Sequence, residues 1–363
     1  MGSFSTLSPS KQWRFPNQLT SNKIPAVNFS PQPHLSRKPK PISCLAVDPS
    51  KTAAAPPLVV VGSANADIYV EIDRLPKEGE TVSARTGQTL AGGKGANQAV
   101  CGGRLEYPTF FVGQIGEDAH GKLIAEELES GGVLIDHLRS VGGAPTGHAV
   151  VMLRADGQNS IIIVGGANMT CWPESLCGED LEVVKNAGIV LLQREIPDFV
   201  NIQVAKAATS AHVPVILDAG GVDAPIPPEL LKLIDILSPN ESELARLTNM
   251  PTESFEQISQ AVGECHKMGV KQVLVKLGAK GSVLFTQGEE PIRQPIISAR
   301  KVIDTTGAGD TFTAAFAVAL VEGKSKTECL RFAAAAASLC VQVKGAIPSM
   351  PDRKSVLNLL QTV

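Results

Sequence analysis

LVVVGSANAD, residues 58–67, is a short β-branched run closed by a glycine and followed at once by an amide and a carboxylate. Four consecutive apolar residues without polar alternation describe a strand buried on both faces, and Gly62 marks its end. Similar runs recur as TFFVGQIG, GIVLLQ, VPVILDAG, DILSPN and QVLVKLG, most of them separated by stretches of helical spacing such as KLIAEELESGG and ELLKLI. Strand alternating with helix predicts a mainly parallel sheet covered by helices on both faces. In open sheets of this kind ligands sit beyond the C-terminal ends of the strands. The polar residues gather at such ends: Asn65 and Asp67 after LVVVG, Glu195 after GIVLLQ, Asn240 after DILSP, and Gly278 after QVLVKL.

Two segments break the pattern. Residues 67–87 and 146–164 alternate in polarity, with turn signals between them where helices stand elsewhere. They predict a small antiparallel sheet added to the main one. One face of such an addition must be covered, by closing over a ligand or by meeting another subunit.

Composition excludes several classes of partner. With 43% hydrophobic and 19% charged residues and a net charge of -3, the chain has no basic or acidic excess that would draw it to nucleic acid or a membrane surface. No apolar run approaches the roughly 18 residues of a bilayer span. The seven cysteines form no CxxC pair or Cys/His cluster, and even the nearest two, Cys171 and Cys177, are expected to be reduced thiols. Residues 1–47 contain no Asp or Glu, the first acid being Asp48, but are rich in Ser, Pro, Lys and Arg without a secretory apolar block. That composition predicts an organelle transit peptide. ISCLAV at 42–47 resembles plastid processing sites with cleavage after Cys44, so a chloroplast is expected, with the mitochondrion as alternative. A linker over 48–57 and a single folded domain over 58–363 follow.

DTTGAGDTF, residues 304–312, sets two acids around small residues, just before the apolar run TAAFAVAL. Gly307, Ala308 and Gly309 allow close backbone approach to an anion, and a helix starting there would add free N–H groups and its positive dipole end. Asp310 in the first turn complements that dipole, or has a task beside the anion such as taking a proton from an attacking hydroxyl. GGKGANQAV at 92–100 adds flexible glycines, the charge of Lys94 and the amide of Asn97 at an expected helix start. Asn65 and Asp67 suit either vicinal sugar hydroxyls or a simple turn. Neither GxxxxGK[ST] nor a GxGxxG after the first strand is present, so a nucleotide site would be of another type.

SANAD with DRLPKEGETV, GGKGANQA, SPNESE at 238–243, DTTGAGDTF and KGAIPSMP at 344–351 occur in an order and spacing that resembles the ribokinase-like (PfkB) carbohydrate kinases, over nearly all of the chain from residue 58. The resemblance implies a three-layer α/β/α fold with a mainly parallel central sheet and a small β-sheet lid. Within the family, GGKGANQA with Asn65 and Asp67 is similar to the ribose-specific members, and the leader to their plant plastid forms. It implies ATP-dependent phosphorylation of D-ribose at O5, with Asp310 as general base and the N–H groups of Gly307, Ala308 and Gly309 as anion hole. Asn65, Ala66, Asp67, Gly93, Lys94, Gly95, Ala96, Asn97, Glu195 and Asp310 would line the ribose pocket. Asn240, Lys276, Leu277, Gly278, Ala279, Lys280, Gly281, Gly309 and Asp310 would meet ATP, with Glu243 in the magnesium region. Asp304, Thr306, Cys340, Val343, Gly345 and Ser349 match a potassium loop, and the lid sheet is the implied homodimer contact. Two departures stand out: Lys276 replaces the hydroxyl of a common TLG, and Ala334 takes a place near adenine that is often polar. A kinase for deoxyribose or another small sugar, and a non-catalytic scaffold of the same fold, are the alternatives.

Overall fold

β1 (Leu58–Val61) is buried along its whole length. Leu58 and Val60 pack into one hydrophobic cluster and Val59 and Val61 into a second, on the opposite face of the sheet. Successive side chains of a strand point to opposite faces, which is why a strand covered on both sides reads as an unbroken apolar run. The computed structural model describes residues 55–154 and 159–362, so the leader read at 1–47 and most of the linker read at 48–57 lie outside the described residues.

β2 (Asn65–Ile72) and β3 (Thr86–Gly92) leave the main sheet, β4 (Thr109–Gly116) and β5 (Leu134–Val141) belong to it, and β6 (Gly147–Arg154) and β7 (Asn159–Val164) leave it again. β8 (Ile189–Arg194), β9 (Val215–Gly221), β10 (Ile236–Ser238), β11 (Gln272–Lys276), β12 (Ser282–Thr286) and β13 (Ile292–Gln294) complete it. The nine-stranded sheet has the order β13-β12-β11-β10-β9-β8-β1-β4-β5. It is parallel from β11 to β5, while β12 and β13 add antiparallel pairs at one edge. All six apolar runs read from the sequence are strands of this sheet. β5, β12 and β13 were not anticipated; β5 is an edge strand with no fully buried residue, so it lacks the apolar signature.

The helix Ala308–Val321 follows DTTG directly, and its residues 310–319 are all buried. Its small side chains let the helix Lys326–Cys340 lie close against it, with Ala333, Ala334, Ala335 and Ala336 buried there.

The second sheet has the order β3-β2-β6-β7, and it corrects the expectation of a purely antiparallel addition. β2 pairs with β6 in parallel, flanked by the antiparallel pairs β2–β3 and β6–β7. β2 follows β1 and β6 follows β5, two strands that run the same way in the main sheet, so both emerge in one direction. The boundaries shift as well: β2 begins at Asn65, residues 73–85 form no strand, and β3 runs on to Gly92, delivering the chain directly into GGKGAN.

Candidate active site

Asp310 lies in the first turn of the helix Ala308–Val321, 5% exposed. Gly307 caps that helix at φ 78°, a backbone conformation that favours glycine, and a Cβ there would come within 3.1 Å of Ala346. The Ala308 N–H is turned back onto Thr305 O at 3.2 Å. That changes the expected anion seat: the Ala308 N–H is spent within the turn, and the open donors are those of Gly307, Gly309 and Asp310, in line with the free first N–H groups of any helix. Asn97 Nδ2 donates to Asp310 Oδ2 at 2.9 Å, while Lys94 Nζ and Gln98 Nε2 approach Oδ1 at 3.3 and 3.4 Å. The carboxylate is thus fixed by residues of the helix Lys94–Arg104, which packs across the start of its own helix.

Of the residues expected to line the sugar pocket, Lys94 and Asn97 reach this carboxylate directly. Gly93 sits at φ 90° with Asn65 N only 2.7 Å from where a Cβ would stand, and a Cβ on Gly95 would meet Ser63 N at 2.7 Å. The glycines of GGKG therefore let this turn press against the chain after β1. Ala66 and Ala96 are buried, and the Ala96 N–H is spent on Ser63 O at 2.9 Å. Glu195 Oε2 accepts from Ser63 Oγ at 2.6 Å and from Lys94 N at 3.0 Å. Asn65 Oδ1 accepts from Asn168 Nδ2 at 2.7 Å, which leaves the two N–H groups of Asn65 Nδ2 for a ligand. Asn97 Oδ1 is buried without a partner among the described residues. The Asp67 carboxyl is pushed up to about 7 by burial and then by the negative charges of Glu195 and Asp310.

On the other side of Asp310 a cleft of about 550 Å³ opens over Lys94, Asn240, Glu243, Lys276, Gly278, Ala279, Gly281, Gly307, Ala308 and Gly309. Asn240 and Glu243 form a capping box at the start of the helix Glu241–Thr248. Ala334 also lines the cleft, as expected, with Ile296, Ile297, Val302, Ala337 and Val341 as further apolar wall. Two residues of the 276–281 segment turn away: Leu277 joins the hydrophobic cluster behind the sheet, and Lys280 pairs with Glu241 at 2.9 Å near the surface. Leu277 follows Lys276 at the end of β11 and so points to the opposite side, while Lys280 is carried away by the 3-10 turn Gly278–Lys280.

The proposed cation loop is drawn together by Asp304. Its Oδ1 accepts from Thr306 N at 2.9 Å and Thr306 Oγ1 at 2.7 Å, and its Oδ2 accepts from Gly345 N at 2.8 Å. Burial disfavours its charge, but these donors hold the carboxyl below its usual range. Cys340 Sγ lies 3.0 Å from Ser349 Oγ and 3.8 Å from Thr306 O. Val343 is 44% exposed, and its N–H donates to Cys340 O at 3.2 Å.

Sequence reading missed four polar residues. Asp218, in β9, is fully buried and contacts Lys94 and Lys276; Asn168 holds Asn65 and the backbone of Ala64; Gln98 approaches Asp310; Ser338 Oγ is buried in the cleft wall without a partner among the described residues. VPVILDAG placed an acid at a strand end, where the same rule that singled out Glu195 applied. Asn168 carried no such signal.

A family model described as pfkB family carbohydrate kinase matches residues 56–353. The ribokinase of Arabidopsis thaliana is 74% identical over 337 residues, 92% of this chain and 87% of that protein. The ribokinase of Bacillus subtilis is 38% identical over 303 residues, 84% of this chain and 99% of that one. Among solved structures, Arabidopsis thaliana ribokinase complexed with ribose and ATP matches with a TM-score of 0.83 at 78% identity, covering 85% of this chain and 99% of the other.

Proposed function

The chain belongs to the pfkB family of carbohydrate kinases, and from that premise we propose that it phosphorylates D-ribose with ATP at O5, giving D-ribose 5-phosphate and ADP. The observation that carries the reading is the position of Asp310: buried, in the first turn of a helix, where the polar pocket and the cleft meet. Asp310 takes the proton of the primary hydroxyl as O5 attacks the γ-phosphorus of ATP. The bond from that phosphorus to the β–γ bridging oxygen breaks, and ADP leaves with the electron pair. Backbone N–H groups at Gly307, Gly309 and Asp310 face the charge that develops on the transferred group.

Asp67, Glu195 and Asn97 Oδ1 act as acceptors, and the Asn65 amide as donor, for the remaining hydroxyls. The apolar wall around Ala334, with Ser338 one helical turn further on, suits a nucleobase. ATP chemistry of this kind uses a divalent cation such as Mg²⁺. Among the described residues no three His, Cys, Asp or Glu side chains gather into a metal cluster. Glu243 therefore fits as a single protein oxygen for an ion held otherwise by phosphates and water, the usual habit of Mg²⁺. Once bound, the ion would offset phosphate charge.

We also infer a potassium ion at the 304–349 loop. Asp304 ties the two segments together and so sets the geometry of the turn before Gly307. Thr306 O, Ser349 Oγ and the backbone oxygens of Cys340, Val343 and Gly345 supply hard oxygen donors. A homodimer through the lid sheet is supported by Ile161, Ile162 and Ile163 on the edge strand β7, which are 54%, 56% and 65% exposed. The acid-free composition of residues 1–47 supports a chloroplast destination.

A coupled assay of ADP release over a panel of sugars tests the activity. Ribose should exceed 2-deoxyribose in kcat/KM by roughly tenfold or more, because a missing hydroxyl leaves buried groups unpaired at about 1 to 3 kcal/mol. Equal rates for all sugars would overturn the assignment.

A further inference from the structure

Beneath the boundary of the two pockets lies a charged group that the reaction as written does not use. Asp218 is fully buried in β9. Its Oδ1 accepts from Gly220 N at 3.0 Å and faces Lys94 Nζ at 3.4 Å; its Oδ2 accepts from Lys276 Nζ at 2.6 Å and from Thr313 Oγ1 at 3.2 Å. The two lysines come from opposite directions, Lys94 from the start of a helix and Lys276 from the end of β11, and both line the cleft. Lys276 Nζ stands 3.8 Å from the point where a Cβ on Gly309 would be, beside the open helix turn. Gly220 keeps the room for Lys94: a Cβ there would lie 2.6 Å from Lys94 Nζ and 2.8 Å from Glu243 Oε1.

Resting on the kinase reading above, we propose that Asp218 is a positioning residue for phosphoryl transfer, a sealed counter-ion that holds Lys94 and Lys276 as paired ammonium groups aimed at the phosphates of the bound nucleotide. Lys94 is shared between Asp218 and Asp310. Asp310 must turn to the sugar hydroxyl during reaction, whereas Asp218 is out of reach of sugar and solvent. Asp218 thus keeps both ammonium groups in place while Asp310 is engaged, and draws Lys94 partly off the base. A buried ion cluster of this kind is a poor source of stability, because desolvation offsets much of the attraction. Its value lies in placing positive charge where the phosphates arrive. Burial disfavours the ionised carboxyl, but Lys276 and then Lys94 hold it well below the usual carboxylate range, so it stays charged.

The test uses the wild type, Asp218→Asn, Lys276→Met, Lys276→Arg and the double variant Asp218→Asn/Lys276→Met. Steady-state kinetics are read for both substrates, and calorimetry follows AMP-PNP and AMP with Mg²⁺ present. Asp218→Asn should lose about tenfold or more in kcat/KM for ATP with KM for ribose within about twofold. Lys276→Met should weaken AMP-PNP by about tenfold and AMP by less than about twofold, Lys276→Arg should recover most of that affinity, and the double variant should lose less than the product of its parts. Equal weakening of AMP-PNP and AMP, strictly multiplicative losses, or an Asp218→Asn enzyme with normal ATP kinetics would each overturn the proposal. If Asp218→Asn does not fold, the contrast between Lys276→Met and Lys276→Arg decides. A wild type that leaves ribose untouched refutes the kinase reading, while the AMP-PNP and AMP comparison still judges the lysine pair.

Discussion

On one side of Asp310 the protein presents oxygens, and on the other it presents nitrogens and apolar wall. Asp67, Glu195, Asn97 Oδ1 and Asp310 crowd the first region, where burial, and after it the charges of Glu195 and Asp310, push Asp67 up to about 7. The second offers the helix turn at Gly309, Lys276 and Lys94, then Ile296, Val302, Ala334 and Val341. A polyol is recognised by acceptors for its hydroxyl hydrogens, a polyphosphate by donors and positive charge, and a flat base by apolar surface. Lys94 sits at the boundary, with Asp218 and Asp310 drawing on it together. Burial disfavours its charge, yet Asp218, Asp310, Glu195 and Glu243 keep the ammonium protonated well beyond its usual range.

The contrast can be broken most severely at its meeting point. Asp310→Asn should lower kcat by about 10² to 10⁴ while ribose still binds, since the amide keeps the shape and loses the base; single-turnover phosphoryl transfer near the wild-type rate would remove the base assignment. Next, Asp67→Asn should raise KM for ribose by about ten- to a hundredfold and leave KM for ATP unchanged. Comparable changes in both constants would erase the distinction between the two sides. Replacing potassium by sodium or a bulky organic cation should lower kcat by a few-fold to tenfold, and identical rates in all three salts would dissolve the reading of the 304–349 loop.

The smallest effect concerns pH. The folded-state value for Asp67, about 7, exceeds the ordinary 3.8, so the folded protein binds this proton more tightly than the unfolded chain. Its contribution to stability is full below the unfolded value and is lost as pH rises through about 7. Thermal unfolding of the ligand-free enzyme should therefore show Tm declining over that window, more weakly in Asp67→Asn. Ribose should reverse the trend, because its hydroxyls favour the ionised form. An unchanged pH slope in the variant would mean that the charge crowding is relieved in another way.

Much of this arrangement was legible in the chain. DTTGAGDTF declared a helix start with an acid in its first turn, and GGKGAN a tight turn into a helix, since glycines and apolar runs report backbone demands locally. The Lys276 departure was visible too, but its meaning was not. Read alone, it is a cation in place of a hydroxyl; in the fold it is one arm of a pair closed by Asp218, 58 residues away. The parallel pairing of β2 with β6 was similarly hidden, because alternation reports which face is covered and says nothing about strand direction.

By itself, the sequence determined the alternation of strand and helix, the location of the polar residues at strand ends, and the local chemistry of each motif. These depend on periodicity and on neighbours within a few residues. Tertiary structure decided which charges meet: Lys94 with Asp218 and Asp310, Asn65 with Asn168, Asp304 with Gly345. Side chains far apart in the chain acquire common burial and common partners only when the sheet brings their strand ends together, and the energies of ionised groups are set by that shared environment.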